Sequence, residues 1–153
     1  MNAIKEFFCN YMVIAPAVAW FSAQIIKVFT GMFREREFKL TTLLFSNGGM
    51  PSSHSAAVCA LVAASAIKFG PASFELAISG LLAIIVMMDA SGVRYETGEQ
   101  AKIINKITKE LFSGRPEDIN TGLKELVGHT PFQVLVGALW GVVVGILLSF
   151  VMI

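Results

Sequence analysis

The sequence predicts an all-α integral membrane bundle of about four transmembrane helices with one amphipathic surface helix. Of 153 residues, 55% are hydrophobic and only 15% charged, with a mean hydropathy of +0.68, whereas soluble domains carry about 25% charged residues. Four apolar windows approach the ~20 residues that a membrane helix needs. Between the third and fourth, one polar stretch repeats its apolar residues at helical spacing. No internal repeat, low-complexity tract or long linker divides the chain, so residues 1–153 are expected to form one membrane-embedded domain.

The first window is Tyr11–Phe29. Only Lys5 precedes it as a cation, and there is no A-x-A-type cleavage site, so the span is expected to be retained rather than removed as a signal peptide. Lipidation signals are absent as well. The following loop, 31–50, mixes Arg-Glu-Arg-Glu-Phe-Lys (34–39) with Leu-Thr-Thr-Leu-Leu-Phe (40–45), which reads as an interfacial or re-entrant segment leading to an Asn-Gly-Gly-Met-Pro turn. The second window, Ser55–Phe69, is short and rich in small residues (Ala56, Ala57, Ala60, Ala63, Ala64). Small residues let helix backbones approach closely, so this helix is expected inside the bundle rather than against lipid.

The third window is Phe74–Ser91. Residues 93–130 then carry most of the polarity, and within 98–112 the residues Ile103, Ile104, Ile107, Leu111 and Phe112 form one apolar stripe with lysines between them. That pattern predicts an amphipathic helix on the membrane surface or against the bundle. Ser-Gly-Arg-Pro-Glu-Asp at 113–118 ends it, and a short helix is expected near 119–127. The fourth window, Pro131–Ile153, includes small residues at four-residue spacing (137–145), which suit close helix contacts and admit a homo-oligomer. Cys9 and Cys59 show no metal-ligand spacing and are expected to be small buried hydrophobes.

A net charge of +1 gives no reason to favour nucleic acid as a partner. The distribution of cations is more informative. Lys27, Arg34, Arg36, Lys39, Arg94, Lys102, Lys106, Lys109, Arg115 and Lys124 belong to the first and third loops or their flanks, against Lys5 and Lys68 on the other side. The positive-inside rule therefore puts those loops in the cytoplasm, in a multi-pass protein of the cell or inner membrane whose N- and C-termini are non-cytoplasmic.

The only two histidines each sit where an apolar helix begins, in Gly-Gly-Met-Pro-Ser-Ser-His-Ser at 48–55 and Gly-His-Thr-Pro at 128–131. Unbonded N–H groups and the positive end of the helix dipole suit such a terminus to an anion, phosphate above all. Thr130 is a natural N-cap with Pro131 at the first helical position, which leaves His129 just outside the helix. Ser52 or Ser53 caps the second span after Pro51, which puts His54 in its first turn. Arg94, in Asp-Ala-Ser-Gly-Val-Arg at 89–94, and Lys27 lie at the same end. Taken singly, the histidines read as caps, the two cations as interfacial anchors, and Asp89 as a partner for one of them. Together they supply the cations, backbone donors, nucleophile and acid that phosphoryl transfer needs. Asp89, Glu96 and Glu99 are a candidate set for a carboxylate-bound Mg²⁺, and otherwise no metal or cofactor is called for.

Five segments carry a resemblance: Ala-Gln-Ile-Ile-Lys at 23–27, Gly-Gly-Met-Pro-Ser-Ser-His-Ser-Ala at 48–56, Asp-Ala-Ser-Gly-Val-Arg at 89–94, Gly-Glu-Gln-Ala-Lys-Ile-Ile-Asn at 98–105 and Gly-His-Thr-Pro-Phe-Gln-Val at 128–134. In this order, the chain resembles the divergent branch of the type 2 phosphatidic acid phosphatase superfamily, whose relatives include vanadium-dependent haloperoxidases. The resemblance implies a membrane lipid phosphatase in which Ser52 and Ser53 bind the phosphoryl group, His54 is the general acid and His129 the nucleophile. It further implies that Arg94 and Lys27 hold the phosphate oxygens, with Asp89, Thr130 and Gln133 in support. Three departures from the superfamily pattern stand out. Arg94 is separated from His129 by an inserted polar segment, Glu35 follows Arg34 where a proline is expected, and Gln133 replaces the aspartate four residues after the nucleophile. Asp89 and Glu125 are the carboxylates that could stand in for it. The expected substrate is a lipid phosphate or pyrophosphate, such as phosphatidic acid or phosphatidylglycerophosphate. A non-catalytic lipid or anion binder, or a small transporter that keeps the pocket, is the alternative from another class.

Overall fold

The computed structural model describes residues 2–35, 50–111, 123 and 128–153. Among these residues the chain forms six helices and no strand: α1 (Ala3–Phe8), α2 (Tyr11–Glu35), α3 (Ser53–Phe69), α4 (Phe74–Ser91), α5 (Val93–Leu111) and α6 (Pro131–Met152). Among the described residues three apolar stretches are long enough to cross a membrane, Tyr11–Thr30, a stretch within Phe74–Leu111, and Pro131–Met152, and α3 is a shorter apolar helix. All four expected windows became helices, and the protein is an all-α membrane bundle.

The core is built on alanine and glycine, and α3 is its centre, touching α2, α4 and α6. Ser53, Ser55, Ala56, Cys59, Ala60, Ala63, Ala64 and Ser65 are all buried along it. Against this face α6 places Gly137, Gly141 and Gly145. A Cβ on Gly137 would overlap the Ser52 carbonyl and one on Gly141 the Ala56 carbonyl, and one on Gly145 would lie 3.0 Å from the Ala60 carbonyl oxygen and 2.9 Å from the Ala63 Cβ. The register advances by four residues on both helices in the same direction, so α3 and α6 run parallel and their N-termini lie side by side. The small residues at 137–145 are thus spent inside the chain and do not form the free face that motivated a homo-oligomer.

Helix α2 runs antiparallel to this pair. Ala19 and Ala23 pack with Ala56, Ala60 and Val144, while Ala15 packs with Tyr11 and Ala64. Two polar pins fix the register: Trp140 Nε1 donates to Ser22 Oγ at 2.9 Å, and the Tyr11 hydroxyl donates to the Gly145 carbonyl at 2.6 Å. Tyr11→Phe keeps the ring and removes that bond, so it is expected to cost about 0.5–1.5 kcal/mol. A thermal unfolding midpoint in detergent equal to wild type would show that the bond contributes nothing.

Several details differ from expectation. Asn10 caps α2, its Oδ1 accepting from the Met12 N–H at 3.0 Å. The extra helix α1 precedes it, with Cys9 at its C-cap, so Cys9 is exposed and only Cys59 is buried. Residues 31–35 continue α2 instead of entering a loop. The amphipathic helix begins at Val93, ahead of the stretch 98–112, and Gly98 is buried within it. The rest of the expected re-entrant segment lies outside the described residues, as does the short helix near 119–127 except for Leu123. Leu123 is non-helical and exchanges two backbone hydrogen bonds with the Asn105 side chain, at 2.8 and 2.9 Å.

Candidate functional site

Hydrogen bonds to backbone carbonyls bring the histidine segments to one place. Thr30, at the end of the apolar part of α2, donates through Oγ1 to the Met50 carbonyl at 2.8 Å, and Ser52 N–H donates to the Gln133 carbonyl at 3.1 Å. The second of these ties the start of α3 directly to the first turn of α6. On the other side His129 N–H donates to the Ala90 carbonyl at 3.0 Å. Gly128 adopts a positive φ of 93°, and any Cβ there would overlap the backbone of Arg94 and Tyr95. Residues 128–129 therefore lie flat on the α4–α5 junction, which carries Asp89 and Arg94. The inserted polar segment separates Arg94 from His129 in sequence but not in space.

At this junction a cavity of about 120 Å³ is lined by His54, Val86, Asp89, Ala90, Arg94 and His129. That volume is large enough to admit a phosphoryl group. Both expected catalytic histidines are on its wall. His129 is 4% exposed. Ser52 caps α3, its Oγ accepting from Ser55 N–H at 3.4 Å and lying 3.0 Å from Ser55 Oγ. The N–H groups of Ser53 and His54 precede the first intrahelical bond and point out of the N-terminal end of α3.

Arg94 Nε binds Asp89 Oδ2 at 2.6 Å, with the two side chains 50% and 42% exposed. Such a half-exposed pair is worth only about 0–1 kcal/mol, so an arriving phosphate can share the guanidinium at little cost. Lys27, 4% exposed, is buried on α2 close enough for its charge to act on His54. Ser52 and Ser53 are also buried, and neither lines the cavity. Glu99 pairs with Lys102 at 2.6 Å, and among the described residues no three His, Cys, Asp or Glu side chains gather as a metal site requires. Glu125 lies outside the described residues.

At the mouth, ahead of the apolar stretch 55–69, partial burial pushes the His54 imidazole below its ordinary range. The charges of Arg94 and Lys27 act in the same direction, and Asp89 opposes them. Burial and these two cations thus favour the neutral imidazole. A phosphate dianion beside it reverses the balance and favours the imidazolium. Titrating the protein by NMR with and without vanadate is expected to show the His54 midpoint rising, with binding weakening as pH climbs through the raised value. An unchanged midpoint would place the anion elsewhere.

Sequence reasoning missed Val86 on the cavity wall and the Ala90 carbonyl that holds His129.

Comparison with known proteins identifies the family. The model of the family described as "Divergent PAP2 family" matches residues 8–144. The chain is 37% identical over 155 residues to "Uncharacterized membrane protein YuiD" of Bacillus subtilis (strain 168), covering 95% of this chain and 98% of that protein. No solved structure matches the chain. With most of its length matched by the family and the motifs in order, the chain belongs to the divergent PAP2 family.

Proposed function

We propose that this membrane protein is a multi-pass lipid phosphatase, hydrolysing a lipid phosphate monoester or pyrophosphate at the cytoplasmic face through a phosphohistidine intermediate. The observation that carries this reading is the meeting of His54 and His129, from two separate helix starts, on one phosphoryl-sized cavity with Arg94. In the first step the Nε2 lone pair of His129 attacks phosphorus while the bond to the lipid oxygen breaks. That oxygen leaves with the proton of the His54 imidazolium. In the second step the now neutral His54 takes a proton from water, whose oxygen attacks phosphorus, and the phosphorus–Nε2 bond breaks to return His129. Arg94, Lys27 and the N–H groups at the start of α3 neutralise the phosphoryl oxygens throughout. The substrate's remaining apolar body stays among the membrane lipids.

Arg94→Ala removes charge-assisted hydrogen bonds to the phosphate. It is expected to weaken vanadate binding about tenfold to a hundredfold, the equivalent of about 1.5–3 kcal/mol. Unaltered affinity would remove Arg94 from the ligand set.

Phosphate release by the purified protein should be measured on phosphatidic acid, phosphatidylglycerophosphate and a polyprenyl pyrophosphate, each with and without a chelator. Release on at least one lipid that disappears in His54→Ala and His129→Ala supports the proposal. Gln133 in place of the superfamily's aspartate favours one second reading, an anion-binding membrane protein without turnover. Vanadate binding with no release on any of these lipids would select it.

A further inference from the structure

We propose that Gln133 is a positioning residue that locks His129 in the Nδ1–H tautomer, so that Nε2 carries the lone pair. The inference deepens the phosphatase reading and rests on it for its chemical consequence, the choice of Nε2 as nucleophile.

The argument starts from a donor whose identity is fixed. Thr130 N–H is a backbone amide and only donates, and it lies 3.1 Å from the Gln133 side-chain Oε1. A reversed amide would set the Gln133 NH₂ against that N–H, donor facing donor, so the atom at this position is the oxygen. Gln133 N–H in turn donates to Thr130 Oγ1 at 3.3 Å, which closes a reciprocal capping box. Pro131 at the first helical position restricts the backbone between the two residues. The helix start therefore holds the carbonyl of Gln133 in one direction.

That same oxygen lies 3.3 Å from His129 Nδ1. An amide oxygen only accepts, so Nδ1 must carry the hydrogen for the contact to be a hydrogen bond. A neutral imidazole holds one proton, and with that proton on Nδ1 the lone pair belongs to Nε2. The backbone of His129 is fixed independently by its N–H bond to Ala90, so the residue is held at its main chain and at Nδ1. Helix capping thus performs the orienting task for which the superfamily pattern uses an aspartate. The amide is neutral, and it selects the tautomer without balancing the positive ring formed on phosphorylation.

The test reads the tautomer directly and needs no turnover. The chain has two histidines, so ¹⁵N-histidine NMR in detergent at about pH 8.5, roughly two units above the ordinary histidine range, gives two imidazoles, and His129→Ala identifies one. The wild type is expected to show the Nδ1–H pattern at His129, and Gln133→Leu to lose it in favour of Nε2–H. Gln133→Glu keeps an acceptor in the same place and is expected to retain Nδ1–H. Nε2–H at His129 in the wild type, or Nδ1–H persisting unchanged in Gln133→Leu, overturns the proposal. If Gln133→Leu fails to fold, the wild-type and Gln133→Glu spectra still decide it, because Nε2–H in either contradicts the lock. An Nδ1–H ring in a protein that releases phosphate from no lipid would uphold the lock and defeat the phosphatase reading, so the two failures are distinguishable.

Discussion

His129→Ala is expected to lower lipid-phosphate release by at least ~10³-fold, the scale of losing a covalent nucleophile. The fold should survive, because the N-cap of α6 is Thr130 and the contacts that hold α6 on α3 begin at Gln133 and Gly137. His54→Ala is expected to cost about 10²–10⁴-fold on a lipid substrate, where the leaving alkoxide needs a proton. The two losses should respond differently to the leaving group. An aryl phosphate departs as a phenolate and depends little on His54, so His54→Ala should recover much of its activity on that substrate while His129→Ala should not. Equal rescue of both variants would dissolve the assignment of separate roles.

Gly141→Val carries the largest expected structural effect. The obstructing atom is the Ala56 carbonyl oxygen, part of a helix backbone that has no rotamer to escape into. Relief requires α3 and α6 to move apart, which also strains the Ser52–Gln133 bond and pulls His54 away from His129. Overpacking of this kind costs about 1–3 kcal/mol, and a contact between two backbones falls at the upper end. Gly80→Val is the control, because nothing lies within 4 Å of a Cβ at that position. There the change should stay within about 0.5 kcal/mol. Thermal unfolding in detergent should separate the two variants clearly. Matching midpoints would mean that the helices tolerate a wider spacing than the glycine stripe indicates.

Most of the bundle was legible from sequence because the signal is local. Length and apolarity marked α2, α4 and α6, and alanines at helical spacing marked α3 as the buried helix before any neighbour was known. Local reading also placed Thr130, Pro131 and Ser52 at helix starts, and Gln133 one turn from His129. What it missed depends on partners distant in sequence. A glycine stripe looks the same whether its partner is in the same chain or in another, and only the register with Ser52, Ala56 and Ala63 shows that the stripe is used internally. Tyr11 read as the first residue of a span because its partner, the Gly145 carbonyl, lies 134 residues away. The convergence of His54 and His129 was inferred from parallel motifs. The bonds that produce it, from His129 to Ala90 and from Ser52 to Gln133, join backbone atoms and leave no trace in residue identity.

Trapping the phosphoenzyme is the most direct single measurement. Protein mixed with ³²P-labelled lipid phosphate and quenched in alkali within the first turnover is expected to hold label in an acid-labile, alkali-stable bond, the signature of phosphorus on a histidine nitrogen, and His129→Ala is expected to hold none. Phosphate release with no protein-bound label at any quench time, or label that persists in His129→Ala, would contradict the assignment of His129 as the nucleophile.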